Sequence, residues 1–263
     1  MGYYGLGTYL MTTRQGLMAS EGWTARIAGF SIPALMNGSS VYAAMQSVTV
    51  NAAGLFVAVG YNASTYPVYA TSSNGSTWST PALMGGSSTV GTMRGVTVNA
   101  AGLFVAVGFD TNHYPLYATS SDGSTWSIPA LMNGSSVYAA ITAVTVNAAG
   151  LFVAVGYNTS TYSVYATSSD GSTWSTPALM GGSSTIGTME AVTVKSSGLF
   201  VAVGFNTSGY PVYATSSNGS TWSIPALITS AIWSMRGVAV NIAGLFVAVG
   251  YDGSIFPAGS YSH

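Results

Sequence analysis

Cysteine is absent from all 263 residues, which excludes a disulfide framework and any thiolate metal site. Charge is scarce as well. Five basic and six acidic side chains make up 4% of the chain, against about 25% in an ordinary soluble domain. Five cations cannot build a basic patch, so no nucleic-acid partner is expected. His113 and His263 are the two histidines, too few for a histidine-based metal site, and no cofactor is expected. No apolar run reaches the roughly 18 residues of a membrane helix, so membrane insertion is not expected. Residues 1–13 lack the basic start and apolar centre of a signal peptide. Ser, Thr, Asn and Tyr must therefore supply most of the polar surface. Such a surface suits a glycan or another neutral polar ligand, or further copies of the same chain.

What the chain has in quantity is repetition. Gly-Leu-Phe-Val-Ala-Val-Gly begins at Gly54, Gly102, Gly150, Gly198 and Gly244, in three steps of 48 residues and one of 46. Four copies are followed by Ala-Thr-Ser-Ser-Asn/Asp-Gly-Ser-Thr-Trp, ending at Trp78, Trp126, Trp174 and Trp222. A second period is superposed. The linker Met-Asn-Gly-Ser-Ser-Val-Tyr-Ala-Ala occurs at 36–44 and again 96 residues later, at 132–140. The alternate linkers read Met-Gly-Gly-Ser-Ser-Thr-Val/Ile-Gly-Thr. Seven Asn-x-Ser/Thr sequons, from Asn37 to Asn218, follow from a composition this rich in Asn, Gly, Ser and Thr.

One unit predicts four short strands: 93–98, 103–109, 114–120 and 125–130. The tight turn at Asn99–Gly102 joins the first pair, and the hairpin signal Asp122-Gly123 joins the last. The second strand is apolar at nearly every position without alternation, which requires cover on both faces. Repeats of 40–50 residues with four strands each are the pattern of a β-propeller. The expected fold is therefore all-β, a single five-bladed propeller domain over 1–263. Its blades are 45–82, 93–130, 141–178, 189–226, and 235–257 completed by 8–35. In the last blade, 8–13 is expected as the third strand and 30–35 as the fourth. Residues 2–7 faintly echo the second-strand motif, which keeps six blades as the alternative.

Ser-Ser-Asp-Gly-Ser-Thr-Trp at 120–126 and 168–174 resembles the Asp-box (BNR) repeat of sialidases, photosystem II assembly factors and sortilin-type receptors. About nine residues in each of four units carry the resemblance, with Asn replacing Asp at Asn74 and Asn218. It implies a structural hairpin on the face opposite the active sites of that family. Sialidase chemistry needs an arginine cluster, a Tyr/Glu pair and an acid. This chain offers Arg14, Arg26, Arg94, Lys195 and Arg236 and no acid/base pair of defensible spacing, so the chain is not expected to be an enzyme. In general shape, five blades of about 48 residues are similar to tachylectin-type lectins, whose motifs are not matched.

The units differ chiefly in two places. The loops between second and third strands each begin with Asn or Asp and end with an aromatic: Asn62 and Tyr66, Asp110 and Tyr114, Asn158 and Tyr162, Asn206 and Tyr210. A carboxamide or carboxylate beside an aromatic ring can hold a sugar. The same pattern also describes an Asx turn with packing Tyr. One position at the start of each first strand varies sharply, as Gln46, Arg94, Thr142, Glu190 and Arg236. Arg94, Glu190 and Arg236 are candidates to fix one polar ligand. The expected function is multivalent, lectin-like carbohydrate binding on the face carrying these loops and the inter-unit linkers, at an extracellular, cell or virion surface. The alternative is a self-assembling surface, fibre or appendage subunit. A sialidase-like hydrolase is a remote third.

Overall fold

A computed structural model of the chain describes residues 43–86, 89–134, 138–182, 187–228, 233–252 and 257–262. They form five antiparallel sheets and no α-helix. The first sheet is β1 (Ala43–Val50), β2 (Phe56–Asn62), β3 (Pro67–Ser72) and β4 (Ala82–Leu83). The second is β5 (Gly91–Val98), β6 (Phe104–Asp110), β7 (Pro115–Ser120) and β8 (Ala130–Leu131). The third is β9 (Ala140–Val146), β10 (Phe152–Tyr157), β11 (Ser163–Ser168) and β12 (Ala178–Leu179). The fourth is β13 (Thr188–Val194), β14 (Phe200–Phe205), β15 (Pro211–Ser216) and β16 (Ala226–Leu227). The fifth has three strands, β17 (Trp233–Val240), β18 (Phe246–Asp252) and β19 (Pro257–Ser262). Within each sheet, strands neighbour each other in chain order.

The apolar second strands explain how the sheets stack. Val57 and Val59 of β2 pack forward against Met93, Val96, Phe104 and Ala106 of the second sheet. Val105 and Val107 of β6 do the same against Ile141, Val144, Phe152 and Ala154 of the third. Val153 and Val155 meet Met189, Val192, Phe200 and Ala202, and Val201 and Val203 meet Met235 and Ala248. Alternate residues of one strand thus face opposite neighbours, so both faces are covered and no alternation appears in sequence. Burial of each such Phe or Val stabilises by about 1.5–3 kcal/mol. Only the two outermost faces lack this cover among the described residues. Val48 and Val50 of the first sheet are 58% and 46% exposed, and Val247 and Val249 of the fifth are 40% and 52% exposed.

The Ser-Ser-Asp/Asn-Gly-Ser-Thr-Trp segments are turns, as their chemistry predicts. Asp122 Oδ1 accepts the backbone N–H groups of Ser124 and Thr125 at 2.8 and 2.6 Å, while Ser120 Oγ accepts that of Gly123 at 2.8 Å. Gly123 lies at φ 77°, where a side chain would be strained. Trp126 Nε1 donates to Gly123 O at 3.1 Å and the ring is buried. Asn74 accepts the equivalent pair of N–H groups, both at 2.8 Å. Backbone donation from Thr173 and then Ser172 holds the Asp170 carboxyl down to about 2, and Thr125 and Ser124 put Asp122 well below the usual carboxylate range. The turn is also an inter-sheet contact. Tyr69 of β3 donates its hydroxyl to Ser124 O, and Tyr165 of β11 to Ser220 O.

Two expectations are corrected. The fourth strand is not 125–130 but the two residues Ala130–Leu131, paired with Tyr117 and Leu116. The box turn occupies 121–126, Ser127 N makes a single bond to Thr119 O, and Pro129 has no N–H to give. The third position of the fifth sheet is filled by β19, with Tyr251 opposite Pro257 just as Tyr61 is opposite Pro67. It is therefore not open to 8–13. Residues 8–35 lie outside the described residues.

Candidate ligand-binding face

The variable position at the start of each first strand has a structural identity. In all five sheets the ladder slips by one residue there: between Met45 and Ser47, Met93 and Gly95, Ile141 and Ala143, Met189 and Ala191, and Met235 and Gly237. The residue left over is Gln46, Arg94, Thr142, Glu190 or Arg236. Each is the extra residue of a β-bulge, which leaves it outside the ladder and re-aims its side chain. A glycine of the neighbouring strand makes room. A Cβ on Gly60, Gly108, Gly156, Gly204 or Gly250 would lie within 2.0 Å of the carbonyl oxygen two residues before the bulge. After that glycine comes an aromatic residue in every sheet: Tyr61, Phe109, Tyr157, Phe205 and Tyr251.

Bulge side chains and rings touch across sheets. Arg94 donates to Gln46 Oε1 at 3.0 Å, and its guanidinium lies 5.2 Å from the centre of the Phe109 ring. Arg236 donates to Glu190 Oε2 at 2.8 Å and to the Tyr251 hydroxyl at 3.0 Å, and lies 4.7 Å above Phe205. Burial works against the Arg236 charge. The Tyr251 hydrogen bond and the Glu190 charge outweigh it and push its pKa up, while the Tyr251 phenol is pulled down by the bond from Arg236. The Thr142 hydroxyl bridges to Met189 O at 2.5 Å and Val155 O at 3.1 Å. Tyr157 is pushed up by burial and then by Glu190, with Arg94 and Arg236 acting in opposition. Arg94 pairs with Gln46 between the second and first sheets, and Arg236 with Glu190 between the fifth and fourth.

The loop residues have a different job. Oδ1 of Asn62 accepts from Ser64 N and Tyr66 N, Asp110 from Asn112 N and Tyr114 N, Asn158 from Ser160 N and Tyr162 N, and Asn206 from Ser208 N and Tyr210 N, all at 2.8–3.0 Å. These are Asx turns, and Tyr66, Tyr114, Tyr162 and Tyr210 are half-buried at their ends. Thr65, His113 and Thr161 take φ of 57°, 60° and 58°, unusual for residues with side chains. Each turns its carbonyl toward the next linker, which donates from Gly91, Ala139 or Gly187. In the second sheet His113 also stacks between Phe109 at 5.1 Å and Tyr138 at 5.0 Å. A cleft of about 260 Å³ is lined by Tyr138, Asn158, Thr159, Val164, Pro177 and Leu179. Among the described residues no group of three His, Asp or Glu could hold a metal.

No family model matches the sequence, and neither does any curated protein. Solved structures do match. The chain resembles the BP39L lectin from Burkholderia pseudomallei with a TM-score of 0.69 and 11% identity, over 88% of this chain and 71% of that one. A protein of unknown function from Dyadobacter fermentans matches at 0.65 and 14%, over 86% and 80%. A Hadza microbial sialidase matches at 0.60 and 15%, over 86% of this chain and 57% of that one. The fold is propeller-like. At these identities the likeness extends to the fold alone.

Proposed function

We propose that this chain is a five-bladed, non-enzymatic recognition propeller that binds carbohydrate at several places on the face carrying the bulges, loops and linkers. One observation carries the reading: in every sheet a bulge takes one variable residue out of the ladder, and two of these, Arg94 and Arg236, lie over the rings of Phe109, Phe205 and Tyr251. Rings present C–H-stacking faces, and Gln46, Arg94, Glu190 and Arg236 offer hydrogen bonds to hydroxyls. The Asn62, Asn158 and Asn206 oxygens are held in turns, which leaves their amide NH2 groups as donors. Weak sites repeated on one chain gain avidity. The lectin among the structural neighbours is in keeping with this, and the setting would be extracellular or on a cell or virion surface. Closure of the ring is part of the proposal. Residues 30–35 repeat 126–131 closely and precede β1 as Ala82–Leu83 precedes β5, so they would add the fourth strand to β19.

A second reading, a self-assembling structural subunit, is favoured by the exposed Val48, Val50, Val247 and Val249. A glycan array run with size-exclusion chromatography separates the two. Binding competed away by a simple sugar, from a small particle, is the expected result. Large assemblies indifferent to every sugar would transfer the assignment to assembly. Turnover of a fluorogenic sialoside would instead restore the hydrolase reading.

A further inference from the structure

The linkers alternate with a two-unit period, and only one linker type places a tyrosine ahead of the first strand. Tyr138 stands before β9. The corresponding residue before β5, 48 positions earlier, is Val90, and 96 positions earlier the sequence again has Tyr, at 42. Tyr138 is held from two directions. Ala139 N donates to His113 O at 2.9 Å, and the Tyr138 ring stacks on His113 at 5.0 Å and 22°. His113 rests in turn on Phe109, over which the Arg94 guanidinium sits. Tyr138 therefore ends a four-member column and is presented in a fixed position before any ligand arrives.

The cleft that Tyr138 borders has a defined chemistry. Val164, Pro177 and Leu179 give apolar wall, and Asn158 and Thr159 give the polar edge. Among the described residues no charged side chain lines it. Asn158 Oδ1 is committed to Ser160 N and Tyr162 N at 3.0 Å, so the side chain offers its NH2 as a donor. At about 260 Å³ the cleft is smaller than the roughly 300–1,000 Å³ of sites for drug-sized ligands. We infer that this cleft is a subsite for one neutral pyranose ring, stacked on Tyr138 and hydrogen-bonded by Asn158 Nδ2. This rests on the carbohydrate reading above and assigns one of its sites to named residues.

The test is calorimetric titration of the full chain with methyl glycosides of galactose, fucose, mannose and N-acetylglucosamine. Tyr138→Ala is expected to take up one equivalent fewer of the glycoside than the wild type binds. Asn158→Asp should weaken one site about tenfold by removing a donor. That variant keeps the turn, because Asp110 already makes the same two bonds in the second sheet. It thus separates a lost contact from a lost fold. Uptake unchanged in stoichiometry and affinity in Tyr138→Ala and Asn158→Asp would overturn the cleft while leaving carbohydrate binding intact. A chain that binds none of these glycosides and nothing on the array would overturn both.

Discussion

Replacing Gly156 by Ala tests whether the bulge is built into the strand beside it. Gly156 is buried and its φ is not in the left-handed region, so on backbone grounds alone Ala would stabilise by about 0.4–1 kcal/mol through the unfolded chain. Space decides otherwise. The added Cβ would lie 2.0 Å from Ala140 O and 2.9 Å from both Ala140 C and Ile141 Cα, all backbone. No side chain can swing away to relieve this. β9 must move outward by more than an ångström, which breaks its pairing with β10 at the bulge that carries Thr142. A loss of about 3–5 kcal/mol is expected. Gly150→Ala is the matched control. Gly150 lies at φ 85° with nothing within 4 Å of its Cβ, so it costs about 1–2 kcal/mol for the left-handed backbone, less the same unfolded-chain gain. Urea unfolding of both variants, followed by tryptophan fluorescence, should place Gly156→Ala at least about 1 kcal/mol below Gly150→Ala. Equal stabilities would show that the bulge geometry is wrong.

Two further outcomes follow from the box turns. The folded pKa of Asp170, about 2, is below its unfolded value near 3.8, and Asp122 is depressed in the same way. Their stabilisation is thus present above pH 3.8 and lost as pH falls toward 2. After discounting for solvent exposure it is worth about 1 kcal/mol per box. Asp122→Asn with Asp170→Asn should retain the turns, as Asn74 does, and flatten the fall in stability between pH 4 and pH 2 in urea titrations. An unchanged fall would place the acid sensitivity elsewhere. Tyr165→Phe removes the hydroxyl bonded to Ser220 O but keeps the ring beside Trp222, so thermal melting should show a loss near 1 kcal/mol. No loss would mean that this inter-sheet bond contributes nothing.

The repeated strands, the Asx turns, the Asp/Asn-Gly turns and the all-β class were legible because each rests on a local rule that the chain states several times. The second strand is the clearest case: Phe-Val-Ala-Val-Gly without alternation demanded two covered faces, and Val153 and Phe152 do face opposite neighbours. The fourth strand was overread because Trp-Ser-Ile-Pro-Ala has strand composition, yet the turn before it and Pro129 within it leave two residues to pair. β19 was missed because Pro-Ala-Gly-Ser-Tyr-Ser has little in common with Val-Tyr-Ala-Thr-Ser. Its one signal was a leading proline, as at Pro67, Pro115 and Pro211. At the site, Arg94, Glu190 and Arg236 were legible as a variable position, but the reason for the position was not. A bulge is an offset between two strands and is invisible in either strand alone. The aromatic row from Tyr61 to Tyr251 did have a signal, an aromatic after Val-Gly in every repeat, hidden because it reads as core. The carboxamide oxygens of the loops lay within reach of their own backbone, which outcompetes a ligand for them.

The bulge also accounts for how near-identical repeats can carry different side chains at one point. A residue inside a ladder must suit the strand, the opposing pair and the neighbouring sheet at once, as the invariant Phe and Val positions do. The bulged residue has no ladder partner to suit. Its backbone conformation is set by the glycine across the ladder, present in all five sheets. Its side chain leaves the sheet, so Gln46, Arg94, Thr142, Glu190 and Arg236 occupy one geometry with five different chemistries. The linker tyrosine follows the same logic at Tyr138, where a backbone bond from Ala139 to His113 fixes the ring and leaves its identity unconstrained by packing in the sheet. Side chains can therefore be changed at these positions unit by unit, while the strands that bury the core stay as they are.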